Sequence, residues 1–131
     1  MPLILIIDDD DEQLLFLNEI LCNAKYDVIA LERGSDAINV IKSKSPDLVI
    51  TDIMMPGITG GEVYREIRKK MGPQFPIIIS SATSIRMKSV TDPFLKYCPK
   101  PLNSVDLIKA IEGLLVMKSS INSEIIDDVQ K

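Results

Sequence analysis

Asp8 and Asp9 follow the apolar run Leu3-Ile4-Leu5-Ile6-Ile7, and Asp52 follows Leu48-Val49-Ile50-Thr51. A packed core does not tolerate carboxylates unless they are paired or bound to a metal. If both runs are parallel strands of one sheet, the acids converge at its carboxyl edge, where open α/β sheets place their ligands. Like charges so close raise one another's pKa by disfavouring ionisation. A divalent cation relieves that repulsion, so the expected chemistry is a hard-metal site with one carboxylate left over for reaction. Asp10 and Asp11 extend the acidic run; they read as a solvated N-cap and first helical turn, favoured by the helix dipole.

The elements that must position these acids alternate strand and helix five times. Residues 3 to 7 form the first strand, and from about Asp11 a helix carries Leu14, Leu17, Leu21 and Ala24 on one stripe. Val28 to Leu31 reads as the second strand, and Gly34-Ser35 supplies a turn and an N-cap for a helix bearing Ala37, Ile38 and Ile41. Ser45-Pro46-Asp47 resets the chain for the third strand, residues 48 to 51. After Met55-Pro56-Gly57 a helix with Val63, Ile67 and Met71 runs to Gly72-Pro73. Ile77 to Ile79 is the fourth strand and Leu95 to Cys98 the fifth. Residues 83 to 93 are helical for two turns at most, so the fourth helix is expected to be short or irregular. The last helix shows Leu107, Ile108, Ile111, Leu114 and Leu115 on one face.

Strands that are apolar throughout belong to a parallel sheet covered on both faces. Right-handed crossovers then predict an α/β, doubly wound three-layer sandwich. Pattern alone leaves strand order open, but the order 2-1-3-4-5 brings the ends of strands one and three together, as the converging acids require.

At 131 residues the chain is expected to be one domain with a real core. With 46% hydrophobic residues it is not disordered, and its apolar runs are too short to span a bilayer. The first strand starts almost at once and leaves no room for a secretory signal, so a cytoplasmic location is expected. A net charge of −4 without a basic stripe argues against direct nucleic-acid binding. Cys22 and Cys98 fit neither a metal spacing nor a disulfide framework, and both read as buried thiols.

The set Asp8-Asp9, then Asp52-Ile53-Met54-Met55-Pro56-Gly57 with Gly60, then Ser80-Ser81-Ala82, then Tyr97-Cys98-Pro99-Lys100-Pro101 resembles the receiver domain of two-component response regulators. The likeness covers about residues 3 to 117, with each piece at a strand end. It implies a flavodoxin-like fold of order 2-1-3-4-5 and a phosphorelay in which Asp52 accepts phosphate from a histidine kinase or phosphotransfer protein, with Mg²⁺. By the same resemblance, Asp9 binds the metal directly and Asp8 through water, while Asp52 and the Met54 carbonyl complete the protein ligands. Asp52 would attack as the carboxylate, and Lys100, aimed inward by a cis bond to Pro101, would meet the phosphoryl oxygens. Ser81 would donate its hydroxyl to those oxygens, with strand alternation turning Ser80 elsewhere. Tyr97 would swing inward as Ser81 is drawn to the phosphate, making a switch.

The departures also carry expectations. The stretch from Ser81 to Lys100 is a few residues shorter than in most receivers, which weakens the fourth helix and the signalling and dimer face it usually builds. Met54 cannot hydrogen-bond a water, so autodephosphorylation is expected to differ. Residues 118 to 131 lie beyond the resemblance and read as a tail or a linker to an output domain, although Ile121, Ile125 and Val129 keep helical spacing. A homodimer and a separate protein partner are both compatible with the chain. Among other classes, a haloacid dehalogenase phosphatase needs a second Asp where Met54 stands, and a flavodoxin relative needs a Ser/Thr-rich loop where this chain is acidic. The remaining alternative is a receiver-like interaction module that is never phosphorylated.

Overall fold

The structure, a computed structural model, describes residues 1–55, 57–82 and 92–130, with 122–130 described as helix backbone only. Its five strands are β1 (Leu3–Ile7), β2 (Asp27–Leu31), β3 (Leu48–Asp52), β4 (Ile77–Ser81) and β5 (Leu95–Pro99). All neighbouring pairs are parallel, and the order is β2-β1-β3-β4-β5. The helices are α1 (Asp11–Asn23), α2 (Ala37–Lys44, entered through a 3-10 turn at Gly34–Asp36), α3 (Gly60–Met71) and α4 (Ser104–Gln130).

Successive strand residues point to opposite faces, and β1 divides accordingly. Ile4 and Ile6 join Leu14, Leu17 and Leu21 of α1 and Leu107, Ile111 and Leu114 of α4 in one core. Leu5 and Ile7 join Ala37 and Ile41 of α2 and Val63, Tyr64 and Ile67 of α3 in the other. Both faces of the central strands are therefore buried, which is why these runs are apolar without alternation. The architecture is the doubly wound three-layer sandwich that the strand pattern predicts, in the flavodoxin-like 2-1-3-4-5 order that the resemblance implies. The expectation of a short fourth helix falls on residues 83–91, outside the described residues.

Local chemistry sets the helix starts. Asp10 caps α1, its Oδ1 accepting the Glu12 N–H at 3.0 Å. Thr59 caps α3: its Oγ1 accepts the Glu62 N–H at 3.1 Å and its hydroxyl donates to Glu62 Oε1 at 3.3 Å. Asn103 Oδ1 accepts from the N–H groups of Val105 and Asp106 at the start of α4.

Three local expectations need correction. Ser35 does not cap α2, because a 3-10 turn intervenes and Asp36 holds the cap position without a side-chain bond. Cys22 is exposed while Cys98 is buried; Cys22 follows Leu21, and the next helical residue turns about 100° away from the buried stripe. Met71 is 40% exposed, whereas Gly60, Val63, Tyr64 and Ile67 of the same helix are buried. The last helix also continues unbroken through residue 117 to Gln130.

A candidate metal and phosphoryl site at the carboxyl edge of the sheet

β1 and β3 lie side by side, Ile7 opposite Thr51, so Asp8 and Asp52 emerge next to each other at the carboxyl edge. Asp8, Asp9 and Asp52 each offer a carboxylate oxygen, all within 4.8 Å of one another. Asp8 and Asp52 are buried and Asp9 is exposed, so the cluster opens to solvent on one side. Lys100, from the turn after β5, reaches over the edge: its Nζ lies 2.9 Å from Asp8 Oδ2 and 3.3 Å from Asp52 Oδ1. The Lys100–Pro101 peptide is cis, as the resemblance implies.

Backbone donors hold the acids in place. Asp52 Oδ1 accepts the Ile53 N–H at 2.9 Å, and Asp8 Oδ1 accepts the Asp10 N–H at 3.0 Å. Gly60 brings α3 against the end of β3, with its N–H donating to the Ile53 carbonyl at 2.8 Å. A Cβ there would stand 2.2 Å from the Asp52 carbonyl oxygen, so only glycine fits.

Burial pushes the Asp8 carboxyl up and the nearby Asp52 charge adds to this, against the opposing pull of the Asp10 N–H and the Lys100 ammonium. Burial would lower Lys100, but its bonds to Asp8 and Asp52 override that and raise it, so the ammonium stays charged. Two of the three carboxylates thus share the Lys100 ammonium, and the hard, closely spaced oxygens of all three fit Mg²⁺, which takes oxygen ligands and uses one or two carboxylates beside waters and phosphate.

The remaining predicted residues belong to β4, β5 and the loop after β3. Met54 sits two residues past Asp52 with its side chain 62% exposed. Ser81 is buried at the end of β4, and Tyr97 on β5 is 37% exposed. Ile79 pairs with Tyr97 and lies two residues before Ser81, so both residues share the α2/α3 face. Ser80 differs from expectation in part. It is turned to the face opposite Ser81, as alternation implies, but as the register partner of Asp52 it shares Asp52's face. Sequence reasoning missed this because alternation along one strand says nothing of register with the next.

A network at the opposite end of β4 and β5 was also missed. Asp92 accepts from Arg68 Nε at 2.7 Å and from the Tyr64 hydroxyl at 2.5 Å, and Arg68 also donates to the carbonyls of Phe75 and Phe94. In sequence Asp92 is merely the residue before a proline, and its partners lie over twenty positions away.

Among the described residues no helix is long and apolar enough to cross a membrane. Residues 4–112 match the family described as response regulator receiver domain. A relative named hybrid signal transduction histidine kinase D, from Dictyostelium discoideum, is 28% identical over 91% of this chain and 8% of its own length. ARR21 of Arabidopsis thaliana, named as a two-component response regulator, is 30% identical over 88% of this chain and 19% of its own. The chain therefore spans at most a fifth of either relative. Among solved structures, the response regulator protein TrrA of Thermotoga maritima, in complex with Mg²⁺-BeF, is 35% identical with a TM-score of 0.79, covering 87% of this chain and 99% of that one. The chain belongs to the response regulator receiver domains, the signalling modules of two-component systems.

Proposed function

We propose that Asp52 accepts a phosphoryl group from the phosphohistidine of a histidine kinase or phosphotransfer protein in the cytoplasm. An Asp52 carboxylate oxygen bonds to phosphorus as the P–N bond breaks, and the imidazole leaves with the electron pair. The observation that supports this best is the convergence of Asp8, Asp9 and Asp52 within 4.8 Å beneath a lysine that touches two of them. Bound at Asp8, Asp9, Asp52 and the Met54 carbonyl, Mg²⁺ would neutralise charge on the transferring group. Lys100 carries its ammonium from Asp8 to the phosphoryl oxygens, and the Ile53 N–H keeps the Asp52 carboxylate oriented.

Ser81 turns its hydroxyl to the phosphoryl group, and Tyr97, on the same face, follows inward from its part-exposed position. Phosphorylation thereby biases a two-state surface read by an output domain, a protein partner or a second copy. The chain's own chemistry is limited to its phosphorylation and dephosphorylation. Residues 1–117 form the receiver, with 118–131 as a tail or linker. Incubating the protein with a small phosphodonor tests the reading. Base-labile labelling that requires Mg²⁺ is expected, whereas no labelling from any donor would make the chain an interaction module.

A further inference from the structure

β3 and β4 pair Asp52 with Ser80, and β4 and β5 pair Ser80 with Cys98. Register partners in a parallel sheet share a face, so Asp52, Ser80 and Cys98 form one row on the α1/α4 side at the carboxyl edge. Lys100, two residues beyond Cys98, reaches back from the edge strand to Asp52 and to Asp8 on the far side of β3, so its stem crosses the end of β4. Ser80 is 1% exposed within this row, and its Oγ has no hydrogen-bond partner. Buried hydroxyls are almost always satisfied, and an apolar residue would fill this place without leaving a polar atom unmet. The other buried donor without a partner among the described residues, Nε2 of Gln13, is in the first turn of α1, also at the carboxyl end of the sheet.

The acceptor that this edge is built to gain is a phosphoryl group on Asp52. We propose that Ser80 is a hydroxyl donor held for the phosphorylated form of Asp52, from the face opposite Ser81; this rests on the phosphoacceptor reading. The serine keeps its proton and no bond is made or broken at its oxygen. Its hydroxyl is unmet in the unmodified protein and donates to an oxygen of the acyl phosphate once that forms. Removing the hydroxyl therefore has opposite effects on the two states, stabilising the unmodified protein and weakening the phosphorylated one.

Thermal unfolding without Mg²⁺, and beryllium fluoride binding with Mg²⁺, measured on wild type, Ser80→Ala, Ser80→Thr and Ser80→Val, test the proposal. Ser80→Ala is expected to melt above wild type yet bind beryllium fluoride about fivefold more weakly, the worth of one net hydrogen bond. Thr and Val have the same shape, so Ser80→Thr should bind near the wild-type affinity while Ser80→Val binds like Ser80→Ala. Equal beryllium fluoride affinity in wild type and Ser80→Ala, or in the Thr and Val variants, overturns the role of Ser80 and leaves Asp52 untouched. A wild type that neither binds beryllium fluoride nor accepts phosphate overturns the reading beneath it.

Discussion

At Asp8, burial and charge act against each other. The carboxyl is 1% exposed, and burial raises its pKa although the Asp10 N–H and Lys100 pull it down. A carboxyl whose folded pKa is raised opposes folding when ionised, and that penalty disappears as pH falls through the folded value. A cation bound to the ionised cluster removes the same penalty at neutral pH. Mg²⁺ should accordingly raise the melting temperature, by an amount equivalent to about 2.7 kcal/mol when its concentration is a hundred times Kd. Asp9→Ala should shift this response to higher Mg²⁺ much more than Asp10→Ala, because Asp10 is occupied in capping α1. Identical Mg²⁺ titrations for the two variants would remove Asp9 from the ligand set.

At the scale of elements, two contacts fix the ends of the sheet. The first is the seat of α3 on β3 at Gly60. Gly60→Ala should cost about 2 kcal/mol in denaturant unfolding, because the new Cβ overlaps the Asp52 carbonyl and one element must move. That displacement should slow Asp52 phosphorylation, whereas Gly61→Ala, whose Cβ meets nothing closer than 3.7 Å, should leave the rate unchanged. The second contact is the Arg68–Tyr64–Asp92 network joining α3 to the start of β5. Burial would raise Asp92, but the bonds from Arg68, Tyr64 and the Phe94 N–H outweigh it and hold its pKa below the usual carboxylate range. A lowered folded pKa contributes stability that is fully present above the unfolded value near 3.9 and is lost as pH falls through the folded one. Asp92→Asn should thus be less stable than wild type by about 2 kcal/mol at pH 7. The gap should close in acid, and a gap that persisted at pH 2 would show that the carboxylate's charge is not what holds this junction.

For the whole molecule, what was legible from sequence is what depends on runs and strand ends. Five apolar runs separated by helical stripes specify the layers, and carboxylates at the ends of the first and third specify the edge where they meet. Cys22 was misread because it was judged by residue type although it lies one residue off the stripe of Leu14, Leu17 and Leu21, and Met71 because a helical stripe does not reveal how far its cover extends. Ser80 and the Arg68 network were hidden because they depend on register and on contacts between distant segments, which no local pattern carries. Residues 8, 9 and 52 nevertheless meet where their places at the strand ends implied, and Lys100, which only the resemblance pointed to, contacts Asp8 and Asp52. The central claim is that Asp52 is the phosphoacceptor. Asp52→Asn removes the anionic nucleophile and also relieves like-charge repulsion, so its fold should survive. The direct measurement is mass-spectrometric mapping of the acyl phosphate after treatment with a small phosphodonor and Mg²⁺, on wild type and on Asp52→Asn. One phosphoryl group on Asp52 in the wild type and none in the folded variant is the expected result; undiminished labelling of Asp52→Asn, mapped to another aspartate, would contradict the account.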